Sequence, residues 1–131
     1  MSRFDLELAE YAAGELGLIV GADCFAGFFP DVDLSGPACA FLQVGGPEPP
    51  FEGCWKTLLV QVRTKSRTNQ FDEGYELAND IYDLLHSQGD LYLPSWHCHW
   101  IAAQAEPYPL GRDEKNREDF SFTILARIRE T

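Results

Sequence analysis

The feature that most constrains the fold is a two-residue alternation near the end of the chain. Apolar residues stand at every second position from 120 to 128, and polar residues fill most of the positions between them: Phe120, Phe122, Ile124, Ala126 and Ile128 alternate with Ser121, Thr123, Arg127 and Arg129. Because successive side chains of a β-strand point to opposite faces, this pattern predicts a strand with one buried and one polar face. The buried face requires a sheet that other elements cover.

Three further segments predict strands, at residues 38–44, 55–65 and 96–105. In the second of them Leu58, Val60 and Val62 line one face. In the third, regular alternation places four residues on one face: Trp96, Cys98, Trp100 and Ala102. The short loops between neighbouring strands favour two antiparallel hairpins.

Two segments predict helices, because their apolar residues recur at three- and four-residue steps. The first runs from Phe4 to about Gly17. The second follows a predicted cap at Thr68-Asn69, extends to about Ser87, and has one apolar stripe: Leu77, Ala78, Ile81, Leu84 and Leu85. The predicted order is α-β-β-α-β-β, an α/β (α+β) single domain over residues 1–131. A mixed or antiparallel sheet of about four strands carries both helices on one face, and residues 18–29 are either a further strand or a loop.

The net charge of −11, from 21 acids and 10 bases, argues against partners that are themselves anionic. Such a chain is repelled by phosphate backbones and anionic lipids, so neither sequence-specific nucleic acid nor a membrane is an expected partner. The N-terminus lacks the apolar core of a signal peptide, and no apolar run is long enough to span a bilayer. We therefore expect a protein of the cytosol, or of a particle assembled there.

The charges are distributed unevenly, which points to an interaction surface. Both predicted helices are acidic, and apart from Arg3 every base lies in residues 56–67 or 112–129. A basic sheet edge and an acidic helical face suit head-to-tail contact between copies of the chain. The candidate interface residues are Trp55, Arg63, Lys65, Arg67, Arg112, Lys115 and Arg117, and the candidate contact loops are residues 45–54 and 106–118.

None of the patterns that suggest chemistry is complete, so no catalytic residue, metal or cofactor is predicted. His97 and His99 share one face of a predicted strand, while Cys98 between them points away. A calcium-like run begins at Asp31, but Leu42 stands where the bidentate acid belongs. The four cysteines form no CxxC pair and are expected in the core. Two alternatives remain: a small cytosolic hydrolase or metal enzyme that uses Cys98, His97 and His99, and an acidic protein-binding module.

Several short motifs stand in order along the chain and together resemble a known family. They are Phe25-Ala26-Gly27-Phe28-Phe29-Pro30-Asp31, Gly45-Gly46-Pro47, Val60-Gln61-Val62-Arg63, Tyr75-Glu76-Leu77-Ala78, Ile81-Tyr82-Asp83-Leu84-Leu85 and Leu110-Gly111-Arg112-Asp113. Over residues 10–129 the chain resembles the tail terminator (tail-completion, head-to-tail joining) proteins of long-tailed phages, which often carry the label minor capsid protein.

The resemblance implies a structural virion protein and no enzyme. It implies an α/β subunit that assembles in the host cytoplasm into a homo-oligomeric ring, a hexamer, at the head-proximal end of the phage tail. The ring stops polymerisation of the major tail tube protein and presents the joining surface to the head-completion (connector) protein. The family offers no catalytic residues to carry over, and the run Trp96-His97-Cys98-His99-Trp100 is not one of its patterns.

Overall fold

The computed structural model describes residues 3–30, 36–45 and 55–131. Its elements, in chain order, are α1 (Phe4–Leu16), β1 (Cys24–Ala26), β2 (Ala38–Gly45), β3 (Lys56–Lys65), α2 (Phe71–Leu85), β4 (Gln88–Tyr92), β5 (Trp96–Ala103), β6 (Tyr108–Arg112) and β7 (Glu118–Glu130). Neither helix in these ranges combines the length and apolar character that crossing a membrane requires.

The strands form one mixed sheet of seven strands, in the order β1-β2-β3-β7-β5-β4. β7 is its longest strand and pairs antiparallel with β3 along one side. Along its other side β7 pairs with β6 near its start and with β5 towards its end. The predicted alternation is confirmed, because the even-numbered residues from Phe120 to Ile128 are all buried. The two predicted antiparallel pairings, β2 with β3 and β5 with β7, are also confirmed, although β5 and β7 are not consecutive strands.

Both helices pack on the same face of the sheet, as predicted. α1 packs on β1 and β2, while α2 packs mainly on β3 and β7, and residues of both helices share one apolar core with these strands. The first turn of α2 is docked by Ser66, whose hydroxyl accepts a hydrogen bond from Gly74 N (2.9 Å) and donates one to the Phe71 carbonyl (3.0 Å). A Cβ at Gly74 would lie 2.5 Å from that hydroxyl oxygen, so only glycine permits this approach.

The predicted count of about four strands is too low: the order α-β-β-α-β-β lacks β4 and β6, and it left open whether residues 18–29, which contain β1, form a strand or a loop. β1 has only three residues, β4 buries only Leu91, and all five residues of β6 are exposed. Strands this short or this exposed have no apolar alternation to reveal them. Residues 106–118 are therefore not one loop, and Pro109 lies inside β6 opposite Phe120. An edge strand tolerates a proline where its N–H faces away from the neighbour.

Two details of the predicted elements are also wrong. A β-bulge between Cys98 and Trp100 puts Trp96 and Cys98 on the core face but shifts Trp100 and Ala102 to the other face, opposite Arg127 and Leu125. The extra residue of a bulge reverses every side chain that follows it. The predicted cap at Thr68-Asn69 is not used, because α2 begins at Phe71 with Gln70 as its N-cap residue. Asn69 instead adopts a left-handed turn conformation, with φ at 62°.

Candidate interaction surfaces

The residues of the alternative enzyme hypothesis do not converge on a reactive centre. The Cys98 side chain is fully buried in the core, where burial and the nearby charge of Glu7 raise its pKa to about 12. A thiol with so high a pKa is protonated at neutral pH and is a poor nucleophile. His97 lies on the opposite face of β5, and His86 accepts a hydrogen bond from Ala103 N (2.9 Å) at the end of α2.

His97 and His99 share one acidic neighbour in place of a metal-ligand set. His97 Nε2 lies 3.2 Å and His99 Nδ1 lies 3.9 Å from the same oxygen, Asp90 Oδ1. The His97 ring stacks on Tyr92 with the ring centroids 4.1 Å apart. Within residues 3–30, 36–45 and 55–131, no group of three or more His, Cys, Asp or Glu residues has the geometry to hold a metal ion. Residues 31–35 of the calcium-like run 31–36, and residues 46–54 of the predicted contact loop 45–54, lie outside the described residues.

The six basic interface candidates come together at one end of the sheet. Arg63 and Lys65 lie in the last part of β3, and Arg67 follows that strand. The other three lie where β6 turns into β7: Arg112, Lys115 and Arg117. The register of β3 with β7 places Lys65 opposite Asp119, which brings the two groups side by side. We call this group of six bases the basic end.

Most of the positive charge at the basic end is balanced by acids of the same chain. Four contacts account for this: Arg63 to Asp119 (3.2 Å), Lys65 to Asp113 (3.3 Å), Arg112 to Glu118 (3.1 Å) and Arg117 to Asp113 (2.7 Å). Arg67 forms a fifth contact, with Nε donating to both carboxylate oxygens of Glu73 (2.9 and 3.0 Å). The basic end is therefore an ion-pair network and not a field of free positive charge.

Asp113 is the centre of this network. Partial burial acts to raise the pKa of its carboxyl. The carboxyl accepts hydrogen bonds from the backbone and guanidinium of Arg117, the backbone of Lys115 and the ammonium of Lys65. These hydrogen bonds outweigh burial and hold the pKa of Asp113 well below its usual range. Asp119 shows the reverse balance, because burial raises its pKa despite the nearby charges of Lys65 and Arg63. The network thus orders the turn between β6 and β7.

A cleft of about 480 Å³ opens beside the network. Its lining combines an apolar wall, formed by Phe29 and Pro30, with a charged wall that includes Lys65, Arg112 and Lys115. The Lys65 ammonium lies 5.3 Å from the centroid of the Phe29 ring, so the walls meet in a cation–π contact. Arg112 and Lys115 stay exposed at the cleft. They remain accessible to an acidic group of another molecule.

Trp55 lies at the opposite end of the sheet and does not belong to the basic end. It directly precedes β3, whereas Lys65 ends that strand, so the two residues are about 33 Å apart along the chain. Trp55 is half-buried, and its ring centroid lies 5.1 Å from that of His97 and 5.5 Å from that of His99. The guanidinium carbon of Arg129 lies 4.7 Å from the centroid of the Trp55 ring. The structure therefore divides the seven candidates between two surfaces.

Among the described residues, α2 has a concentration of acids without ion-pair partners. This helix contains no Lys or Arg, and four of its acids are exposed and have no ion-pair partner among the described residues: Asp72, Glu76, Asp80 and Asp83. We call these four residues the acidic face. On α1, in contrast, Asp5 and Glu7 are buried, and Glu7 Oε1 accepts a hydrogen bond from Ser95 N (2.8 Å). The two helices are therefore not equivalent, although both are acidic in sequence.

Sequence reasoning missed the acids that neutralise the basic end. Asp113 and Arg117 are four residues apart in a polar turn, and this spacing is the one local signal of their contact. Asp119 and Glu118 become partners only through strand register, because they lie on β7 while their partners lie on β3 and β6. Register depends on the whole sheet, so no local pattern reveals these pairs.

The comparisons with known proteins agree with this architecture. The family model described as Bacteriophage tail terminator protein matches residues 13–130. No curated protein matches the chain. Among solved structures, a chain of the virion of a native gene transfer agent (GTA) particle has the same fold, with a TM-score of 0.65 at 12% sequence identity, covering 98% of this chain and 95% of that one. On the family match, which covers nearly the whole sequence, the chain belongs to the bacteriophage tail terminator proteins, structural proteins of the phage tail and not enzymes.

Proposed function

We propose that this protein forms a homo-oligomeric ring, most simply a hexamer, that caps the head-proximal end of the phage tail tube. In this role the ring stops polymerisation of the major tail tube protein and provides the surface that a head-completion (connector) protein joins. Copies assemble in the host cytoplasm and remain in the virion. Membership of the tail terminator family supports the proposal, as does the fold shared with a chain from a gene transfer agent virion.

One observation carries the ring itself: the acidic face and the basic end lie on different parts of one subunit. The acidic face lies on the solvent side of the helical layer, whereas Arg112 and Lys115 line the cleft beside the turn between β6 and β7. Two complementary surfaces on one chain favour a head-to-tail contact, which closes into a ring when the rotation between copies allows it. Complementary charge then sets register and partner choice more than affinity.

The contact that we propose places the acidic face of one copy at the cleft of the next. Arg63, Lys65 and Arg117 are held by acids of their own chain and serve to hold the cleft in shape. Arg112, which pairs with Glu118 but stays exposed, and the exposed Lys115 present charge to the neighbouring copy. Phe29 and Pro30 offer apolar contact area beside them. Because the ion pairs within the chain order the cleft before a partner binds, less conformational entropy is lost on association.

The Trp55 surface is left for a different partner, which we propose to be the tail tube or the head-completion protein. Trp55, His97 and His99 form an aromatic cluster at the far end of β3 from the cleft. Tryptophan and arginine are enriched in binding hot spots, and here the half-buried Trp55 ring lies beneath the Arg129 guanidinium. A terminator needs one surface that matches the last tube ring and another that does not copy it. Two separate surfaces on one subunit meet that need.

Size measurement tests ring formation directly. Sedimentation velocity over a range of protein concentrations should show a defined large species that dissociates on dilution. High salt should shift it towards the monomer, because the contacts between copies are exposed ion pairs. A strict monomer at all concentrations and at low salt contradicts a ring that forms without the tail.

Charge reversal tests the contact. The double substitution Glu76→Lys with Asp80→Lys reverses the acidic face, and Arg112→Glu with Lys115→Glu reverses the bases at the cleft. Each double variant alone should remain monomeric, because its contacts become repulsive. An equimolar mixture should restore the ring, since every contact then joins unlike charges, and an alternating ring closes only with an even number of subunits.

The matched control reverses two exposed acids of α1, Glu10→Lys with Glu15→Lys. It changes the net charge as much as the α2 variant does but should leave the ring intact. If the α2 variant still forms the normal ring, the contact lies elsewhere. At the level of the phage, removal of this protein should give overlong tubes or tubes that fail to join heads, and tails of normal length without it would refute the capping function.

A further inference from the structure

Two cysteines that are distant in sequence are direct neighbours in the sheet. β1 pairs in parallel with β2, and the register places Cys24 opposite Cys39. Both side chains are completely buried and belong to the same core cluster beneath α1. Paired residues on adjacent strands are about 4.8 Å apart, which lies within the range of Cα separations that a disulfide spans. The two thiols are therefore placed side by side, and both are free in this structure.

The environment of the pair makes its two thiols unequal. The Cys39 thiol donates a hydrogen bond to the Cys24 sulfur, which lowers the pKa of Cys24, while the same bond and burial raise the pKa of Cys39. The Cys24 thiol also lies 3.6 Å from the Ala9 carbonyl of α1. Cys24 is thus the thiol that more readily becomes a nucleophilic thiolate.

We propose that Cys24 and Cys39 are a modification site, a dithiol that exchanges with a small-molecule disulfide such as oxidised glutathione and closes into a disulfide tethering β1 to β2. Neither the sequence spacing nor a CxxC motif indicates this pair; only the strand register does. The proposal concerns the chain itself and does not depend on ring formation.

The exchange balances without any further reactant. The Cys24 thiolate attacks one sulfur of oxidised glutathione, forms a mixed disulfide and releases one glutathione thiolate, which takes up a proton. Cys39 then loses its proton to solvent, attacks the Cys24 sulfur and displaces the second glutathione. Two protein thiols are oxidised, and one glutathione disulfide is reduced to two molecules of glutathione. Access requires only local opening of β1, which is an edge strand of three residues.

Formation of the Cys24–Cys39 disulfide should stabilise the edge of the sheet at β1. β1 is held by a short ladder to β2 and by its packing against α1. A disulfide between positions 24 and 39 closes a loop of about 15 residues, and such a bond raises the midpoint of thermal unfolding by about 5–10 °C in a domain of this size. The bond would also hold the edge of the sheet in place once the protein leaves a reducing compartment.

The test uses the folded wild-type protein with oxidised glutathione, followed by alkylation with N-ethylmaleimide after unfolding. We expect a product that is lighter by two hydrogens before alkylation, takes up two fewer alkyl groups, and yields one cross-linked peptide containing Cys24 and Cys39. Its thermal midpoint should exceed that of the reduced protein, and dithiothreitol should reverse both changes. The reaction should be independent of protein concentration, because it is intramolecular.

Variants distinguish this pair from the other cysteines. Cys24→Ala and Cys39→Ala should each prevent the loss of two hydrogens, whereas Cys98→Ala, which removes a buried thiol elsewhere in the core, should leave it unchanged. Four alkylated thiols in the wild-type protein after prolonged oxidation overturn the proposal. So does a cross-link that joins any other two cysteines, or a Cys24–Cys39 bond that lowers the thermal midpoint.

Discussion

The basic end and the acidic face differ in how their charges are compensated, although the bases of residues 56–67 and the acids of α2 each form a stretch of one sign in the sequence. At the basic end, Arg63, Lys65 and Arg117 each contact a carboxylate of the same chain. On α2, Glu76 and Asp80 are exposed and have no such partner among the described residues. The same sequence signal, a run of like charge, therefore corresponds to internal structure in one place and to an open surface in the other.

This difference indicates that the paired charges contribute to folding stability and the unpaired charges to assembly. Partly buried pairs that share several hydrogen bonds contribute to the free energy of unfolding, because removal of one partner leaves the other desolvated. Exposed, unpaired carboxylates contribute little to folding and repel one another, so they are available to a partner outside the chain. Substitutions of the ion-paired bases Arg63, Lys65 and Arg117 should thus act on folding, and substitutions on the acidic face should act on assembly.

The largest expected effect is at Arg117, the most buried base of the network. Arg117→Ala removes its hydrogen bond to Asp113 and leaves that carboxylate with fewer donors. We expect the free energy of unfolding to fall by about 3 kcal/mol, as for loss of one partner from a buried pair, measured by urea unfolding at low protein concentration.

Arg112→Ala is the matched control, because Arg112 also pairs with an acid but is 63% exposed. Its cost should stay below about 1 kcal/mol. Equal losses in the two variants would show that burial does not distinguish them and would undermine the view of the basic end as an internal network.

A smaller effect should appear in the pH dependence of stability. The pKa of Asp113 is lowered in the folded state, so its ionised form contributes stability that is fully present above its unfolded pKa of about 4 and is lost as pH falls towards the folded pKa. Asp113→Asn should reduce the free energy of unfolding by about 2 kcal/mol at neutral pH. The difference between wild type and variant should shrink below about pH 4. A difference that stays constant down to strongly acidic pH contradicts the lowered pKa.

The part of this architecture that could be predicted from sequence is the part that is buried. β7 and α2 were identified because apolar side chains at positions such as Ile124 and Ile81 must face the core, and that requirement leaves a periodic pattern. β6 left no pattern, since it buries none of its residues. The bulge at His99 broke the pattern of β5 at its centre, and so the orientation of Trp100 was predicted wrongly.

The candidate surfaces could be predicted only as charges and not as contacts. Clustering of the bases followed from their positions near strand ends, but their neutralisation depended on cross-strand register, which places Asp119 beside Lys65. The Cys24 and Cys39 pair has the same origin, because parallel register brings together residues that no spacing rule connects. The positions of charged residues can therefore be read from the sequence. Which residues on neighbouring strands contact each other is determined only by the register of the folded sheet.

The smallest expected effect on stability is that of Asp80→Lys, which should also have a large effect on assembly. This substitution therefore distinguishes the acidic face from the basic end most clearly. Asp80 lies four residues after Glu76 and three before Asp83 on α2, so like charges repel along this face. Asp80→Lys replaces that repulsion with attraction and puts a positive charge in the C-terminal half of the helix. It should raise the free energy of unfolding of the monomer by about 0.5 kcal/mol. The same substitution should weaken the ring in sedimentation velocity at low salt. A variant that loses stability and assembly together would show the acidic face to be structural, and one that gains stability while keeping the ring would move the subunit contact away from α2.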